Sequence, residues 1–183
     1  MAVNIFFLIV YSLVGLLLIR WHISFYGLYA FNPLARRIYE LTQPLLLPFR
    51  FLQRGRWDWP TLLVAFLLFF GSNLIIALGS DINIQGSASP VGIILAALIM
   101  GSVMLLNCWL DLTFYSLVIA VVASWLQTSP QQPVLQIALA LHHWLVAPIR
   151  RLLPTKMGMF DLAPLIAVLC LQLFRWLLAS LLS

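Results

Sequence analysis

The basic residues of this chain fall in two blocks, and what separates and flanks those blocks is apolar sequence long enough to cross a bilayer. Of the ten Lys and Arg, all but Arg175 lie in these blocks: Arg20, Arg36, Arg37, Arg50, Arg54 and Arg56 in the first, Arg150, Arg151 and Lys156 in the second. Apolar runs occupy about Val3 to Ile19, Trp59 to Leu78, Pro90 to Leu126 and Leu162 to Leu182. Inside hydrocarbon the backbone must satisfy its own hydrogen bonds, so only helices or closed barrels can span it. Continuous runs without polar/apolar alternation choose helices. The composition agrees: 8% of residues are charged, against roughly 25% in soluble domains. The expected fold class is therefore all-α, a polytopic helical membrane protein with about four transmembrane helices plus interfacial amphipathic helices.

The stretch from Pro90 to Leu126 exceeds the roughly 20 residues of a single crossing. Charge decides how often it crosses. The positive-inside rule places both basic blocks in the cytoplasm, so the chain must return once between them. That crossing is expected at about Val103 to Leu126. Pro90 to Ser102 is then a helical extension, an interfacial helix or a re-entrant piece. Its Gly92, Ala96, Ala97 and Gly101 suit close helix packing. The result is four spans with both termini outside, with five spans as the alternative. Val3 to Ile19 has no positive charge before it and no small-residue cleavage site after it. It reads as an uncleaved first span rather than a signal peptide.

The chain also resembles itself at an offset of 100 residues. Ser24-Phe25 falls on Ser124-Trp125, Pro33 on Pro133, Leu41 on Leu141, Pro48 on Pro148, Arg50 on Arg150 and Leu52 on Leu152. After a small insertion, Gly55 to Pro60 parallels Gly158 to Pro164. Two parallel copies of span, basic loop and span are implied: residues 1–80, an apolar connector at 81–102, and residues 103–183. Each loop mixes apolar residues at helical spacing with Arg, Gln, His and Tyr. Such segments fit the membrane interface, with arginines toward anionic headgroups. Arg36, Arg37, Arg50, Arg54, Arg56, Arg150, Arg151 and Lys156 are the candidate lipid or partner contacts. Simple topology-setting charge is the competing reading.

Asn32-Pro33, Thr42-Gln43-Pro44-Leu45-Leu46-Leu47-Pro48-Phe49-Arg50 and Pro148-Ile149-Arg150-Arg151-Leu152-Leu153-Pro154, followed by Phe160-Asp161-Leu162-Ala163-Pro164, resemble the YggT family of small bacterial membrane proteins. The likeness covers nearly the whole chain. The first loop departs from it, with Phe51-Leu52-Gln53-Arg54-Gly55 where the second has Arg-Arg-Leu-Leu-Pro. The resemblance implies a multi-pass protein of the bacterial plasma (inner) membrane. It further implies roles linked to division, cytochrome assembly, or osmotic and ion stress. It supplies no catalytic residues.

Two ionisable residues sit inside spans, Asp111 and Arg175, and intramembrane charge is a functional-site hypothesis by default. Both fall in the outer half at similar depth. An ion pair between the third and last spans is expected, joined by Asn107 one turn before Asp111. It reads as a device fixing helix registry; an ion or proton pathway is the alternative. Asp58 and Asp161 precede the second and last spans, and each is expected to cap its helix. His22, His142 and His143 read as interfacial polar residues, since two His alone rarely make a metal site. Cys108 and Cys170 lie in apolar runs and read as small buried residues. No nucleophile motif, phosphate loop or dinucleotide fingerprint occurs. The expectation is a non-enzymatic protein without cofactor or metal, with the bilayer and other membrane proteins as partners and no nucleic acid. Self-association is left open.

Overall fold

The computed structural model describes residues 2–53, 57–79, 89–152, 156, 157 and 160–182. Its helices are α1 (Ala2–Tyr26), α2 (Pro33–Leu46), α3 (Trp59–Gly79), α4 (Pro90–Trp125), α5 (Pro133–Leu152) and α6 (Ala163–Leu182). Short 3-10 turns occupy Leu28–Ala30 and Leu47–Leu52. A two-residue antiparallel pairing of β1 (Lys156–Met157) with β2 (Phe160–Asp161) leads into α6. Helices α1, α3, α4 and α6 are each long and apolar enough to cross a membrane.

Local signals explain the boundaries. Asn32 caps α2: its Oδ1 accepts the Ala35 amide proton at 3.0 Å, and Pro33 takes the first helical position, where a missing N–H costs nothing. Pro44 lies inside the last turn of α2, and the chain then tightens into the 3-10 turn beginning at Leu47. Ser89 caps α4 through Oγ, which accepts from Gly92 at 3.1 Å, with Pro90 at the first helical position. Nothing interrupts α4 from there to Trp125. Residues 90–102 are thus a helical extension of the third span, and the helix is about 54 Å long at 1.5 Å per residue over 36 residues.

Helix α4 is the axis of the bundle and packs against α1, α3, α5 and α6. Against α3, Gly101 sits so close that a Cβ there would lie 3.1 Å from the Phe70 backbone nitrogen. Val10, Val14, Leu17, Ala65, Phe69 and Cys108 bury the junction of α1, α3 and α4. Leu110, Leu117, Val146, Ala163, Ala167 and Leu171 bury that of α4, α5 and α6. Near the arginine-rich end, Ile23, Leu28 and Ala35 meet Ile137, Ala140 and Leu141. There Asn32 Nδ2 donates to the Pro133 carbonyl at 2.9 Å and to Gln136 Oε1 at 2.8 Å, tying the start of α2 to that of α5. Both basic loops therefore contain a helix, α2 and α5, at one end of the bundle.

Two expectations change. The first span does not stop at Ile19: α1 continues to Tyr26, which puts Arg20 and His22 inside the helix. Cys108 is buried as expected, but Cys170 is exposed on α6.

Candidate functional site

Asp111 occupies the middle of α4, where α1 and α6 flank it. Arg175 Nη2 of α6 donates to Oδ1, and the Tyr11 hydroxyl of α1 donates to Oδ2. The carboxylate is thus held between two helices, one from each end of the chain. The side chains of Asp111 and Arg175 keep 34% and 25% of their surface exposed, so the pair is open on one side rather than sealed in the core. Arg175 Nε is buried and has no partner in the described structure.

The expected role of Asn107 is corrected here. Both oxygens of Asp111 are taken by Arg175 and Tyr11, and Asn107 is exposed on α4 without joining them. Tyr11 is the member that reading the sequence misses, because a tyrosine in an apolar run looks like packing. One signal did exist: at the offset of 100 residues, Tyr11 falls on Asp111 itself.

A second polar cluster lies at the arginine-rich end. Arg20, 1% exposed, has every guanidinium nitrogen engaged. Nε donates to Asp58 Oδ2 at 3.1 Å, Nη1 to the Tyr39 carbonyl at 2.7 Å and to Thr42 Oγ1 at 3.0 Å, and Nη2 to Gln43 Oε1 at 2.7 Å. Its Cζ lies 3.8 Å from the centre of the Tyr39 ring, a cation–π contact. Arg20 is therefore an internal bolt joining α1, α2 and the start of α3, not a loop charge. The capping role of Asp58 is corrected with it. Its backbone carbonyl accepts from Thr61 at the start of α3, but its carboxylate faces Arg20.

The other basic residues separate from Arg20. Arg36 forms an exposed ion pair with Glu40 at 2.9 Å, and Arg37, Arg50, Arg150 and Arg151 are exposed. Beside them Leu41, Phe51 and Leu152 are also exposed, the last two at 81%. Arg54 and Arg56 lie outside the described residues, as do the side chains of Lys156 and Asp161.

The histidines do not converge. His22 Nδ1 lies 2.9 Å from the Leu18 carbonyl, and Trp109 Nε1 donates to its Nε2 at 3.4 Å. His142 is buried, with Nδ1 3.2 Å from Ser116 Oγ. The Ser116 hydroxyl spends its proton on the Thr113 carbonyl, so His142 Nδ1 carries the hydrogen and donates. Burial, with Arg150 and His143 nearby, pushes the His142 imidazole down to about 4. His143 is exposed and meets the edge of Tyr26. Among the described residues, no group of three His, Cys, Asp or Glu is placed to hold a metal ion.

A bundle of four apolar helices with an ion pair in its midst and arginines at one end is a multi-pass helical membrane protein. The sequence model of the CCB3/YggT family matches residues 99–182. The uncharacterised protein YggT of Escherichia coli is 30% identical over 94% of this chain and 85% of its own length. The uncharacterised protein PA0392 of Pseudomonas aeruginosa is 28% identical over 82% of this chain and 74% of its own. The chain belongs to the YggT family. No solved structure matches it.

Proposed function

We propose that this YggT-family protein is a non-enzymatic scaffold or assembly factor of the bacterial inner membrane. In this reading the arginine-rich end faces the cytoplasm, both termini lie outside, and the chain is two parallel copies of one unit. The element order supports the duplication: apolar helix, shorter helix, apolar helix, twice over. The observation that carries the scaffold role is the company the exposed arginines keep. Arg50 is followed at once by Phe51, and Arg151 by Leu152, both apolar side chains being 81% exposed. Arginine beside a projecting apolar side chain suits anionic headgroups and the acyl boundary below them, or the flank of another membrane protein.

The experiment is photo-crosslinking in living cells from position 51 and from position 152. A reproducible protein adduct at both positions is the expected result. Lipid adducts alone would overturn the scaffold.

One observation favours a second reading, a small channel or transporter component serving ion or osmotic balance. The Asp111–Arg175 pair is partly open rather than enclosed, and intramembrane charge marks solute paths in other proteins. Reconstituted vesicles decide: an ion flux abolished by Asp111→Asn would replace the scaffold with a conductor.

A further inference from the structure

The open side of the Asp111 cluster carries more polar chemistry than an ion pair needs. On α4, Asn107, Asp111 and Tyr115 follow one another at four-residue spacing and so share a helix face. Asn107 is exposed and Tyr115 is 62% exposed. On α6, Gln172 is exposed one turn from Arg175. Helices α1 and α6 do not pack along one another, so between them this strip of α4 is uncovered. If lipid covered it, two amides would face acyl chains that neither donate nor accept hydrogen bonds, an arrangement hydrocarbon penalises.

We infer that a second copy of this chain covers the strip, packed about a two-fold axis along the membrane normal, with Asn107 of one protomer paired to Asn107 of the other. Three features select a second copy over an unrelated helix. A carboxamide holds donor and acceptor in one group and is complementary to itself. Two copies inserted in the same orientation present Asn107 at the same depth without further design. The ion pair is internally neutral, so apposing two such strips brings no net like charge together. Amides that bond across helices are an established source of association in membranes, and two-fold dimers are the commonest closed assembly. Self-association through this strip does not require a scaffold role.

The test uses the full chain in phospholipid vesicles, with Cys108→Ala and Cys170→Ala as background. Asn107→Cys should be joined to its counterpart by a short thiol crosslinker. Ile75→Cys, 63% exposed on α3, should not. In a dilution assay by energy transfer between labelled copies, Asn107→Leu should weaken association roughly three- to thirtyfold, whereas Asn107→Gln should hold it near the parent. A monomer at every lipid dilution, equal crosslinking at positions 107 and 75, or a dimer indifferent to Asn107→Leu would each overturn the inference. So would an adduct from position 107 in cells that joins only a different protein. A chain that dimerises this way yet yields no protein adduct at positions 51 and 152 would sink the scaffold and leave the dimer standing.

Discussion

Arg20 and Asp58 face each other at 3.1 Å with side chains 1% exposed, the one ending the charged content of α1 and the other opening α3. Breaking a buried pair by removing one partner leaves an uncompensated charge, which costs about 3–5 kcal/mol. Arg20→Ala and Asp58→Ala are each expected to lose that much, measured as unfolding in detergent. Arg20→Met combined with Asp58→Leu should recover most of the loss, because apolar residues of similar volume commonly replace such pairs without penalty. If the double change is as unstable as either single one, the two side chains are not acting on each other.

The Asp111 cluster makes a different demand. Asp111→Ala and Arg175→Ala each leave one charge in an apolar setting, and each should cost about 2–3 kcal/mol. The combined Ala change should cost less than their sum, and exchanging the two residues should restore part of the stability. Tyr11→Phe removes one hydrogen bond and should lose about 1 kcal/mol. A swap no better than either single change would disprove the pairing.

Gly101 and Gly15 offer a matched comparison in helix packing. At Gly101 a methyl group would meet the α3 backbone at 3.1 Å, whereas at Gly15 it would meet nothing within 4 Å. Replacing glycine by alanine gains about 1 kcal/mol of helix propensity, and overpacking costs about 1–3 kcal/mol. Gly15→Ala should raise the melting temperature in detergent. Gly101→Ala should lower it, and Gly101→Leu should lower it much further.

His142 predicts a pH dependence. Its folded imidazole titrates at about 4, below the ordinary histidine value of about 6.5, chiefly because it is buried. Between these values the unfolded chain binds a proton that the folded chain refuses, so stability rises with pH across that interval. The contribution is complete above about 6.5 and is lost as pH falls toward 4, a change of about 3 kcal/mol. Denaturant unfolding at pH 7 and pH 4.5 should show the loss, and His142→Gln should flatten it.

Much of this arrangement is legible in the sequence. The apolar runs and the two basic blocks foretell the four long helices, and the helical spacing of apolar residues after Pro33 and Pro133 foretells α2 and α5, whereas the cap that Asn32 supplies to α2 shows only in the structure. Asp111 and Arg175 find each other because two lone charges in apolar runs, at similar depth, have few other partners. What escapes is chemistry that depends on which way a helix turns. Tyr11 is both ring and hydroxyl, and only its orientation against α4 decides which matters. Arg20 follows an apolar run directly and so resembles a charge at the water boundary. The extra turns of α1, with Thr42 and Gln43 of α2 folded over it, draw Arg20 inward instead. Asp58 stands at a helix start, where capping is the usual employment, but a buried guanidinium claims its carboxylate.

The partners of Arg20 all lie within the next 38 residues of chain. A ribosome feeding this protein into the bilayer has therefore delivered every group that neutralises Arg20 before α4 emerges. Asp111 is less fortunate, because its guanidinium arrives 64 residues later. Tyr11 is already in place when the carboxylate enters. Of the two side chains that hold this carboxylate, the Tyr11 hydroxyl is thus the one synthesised before it and the guanidinium the one synthesised after.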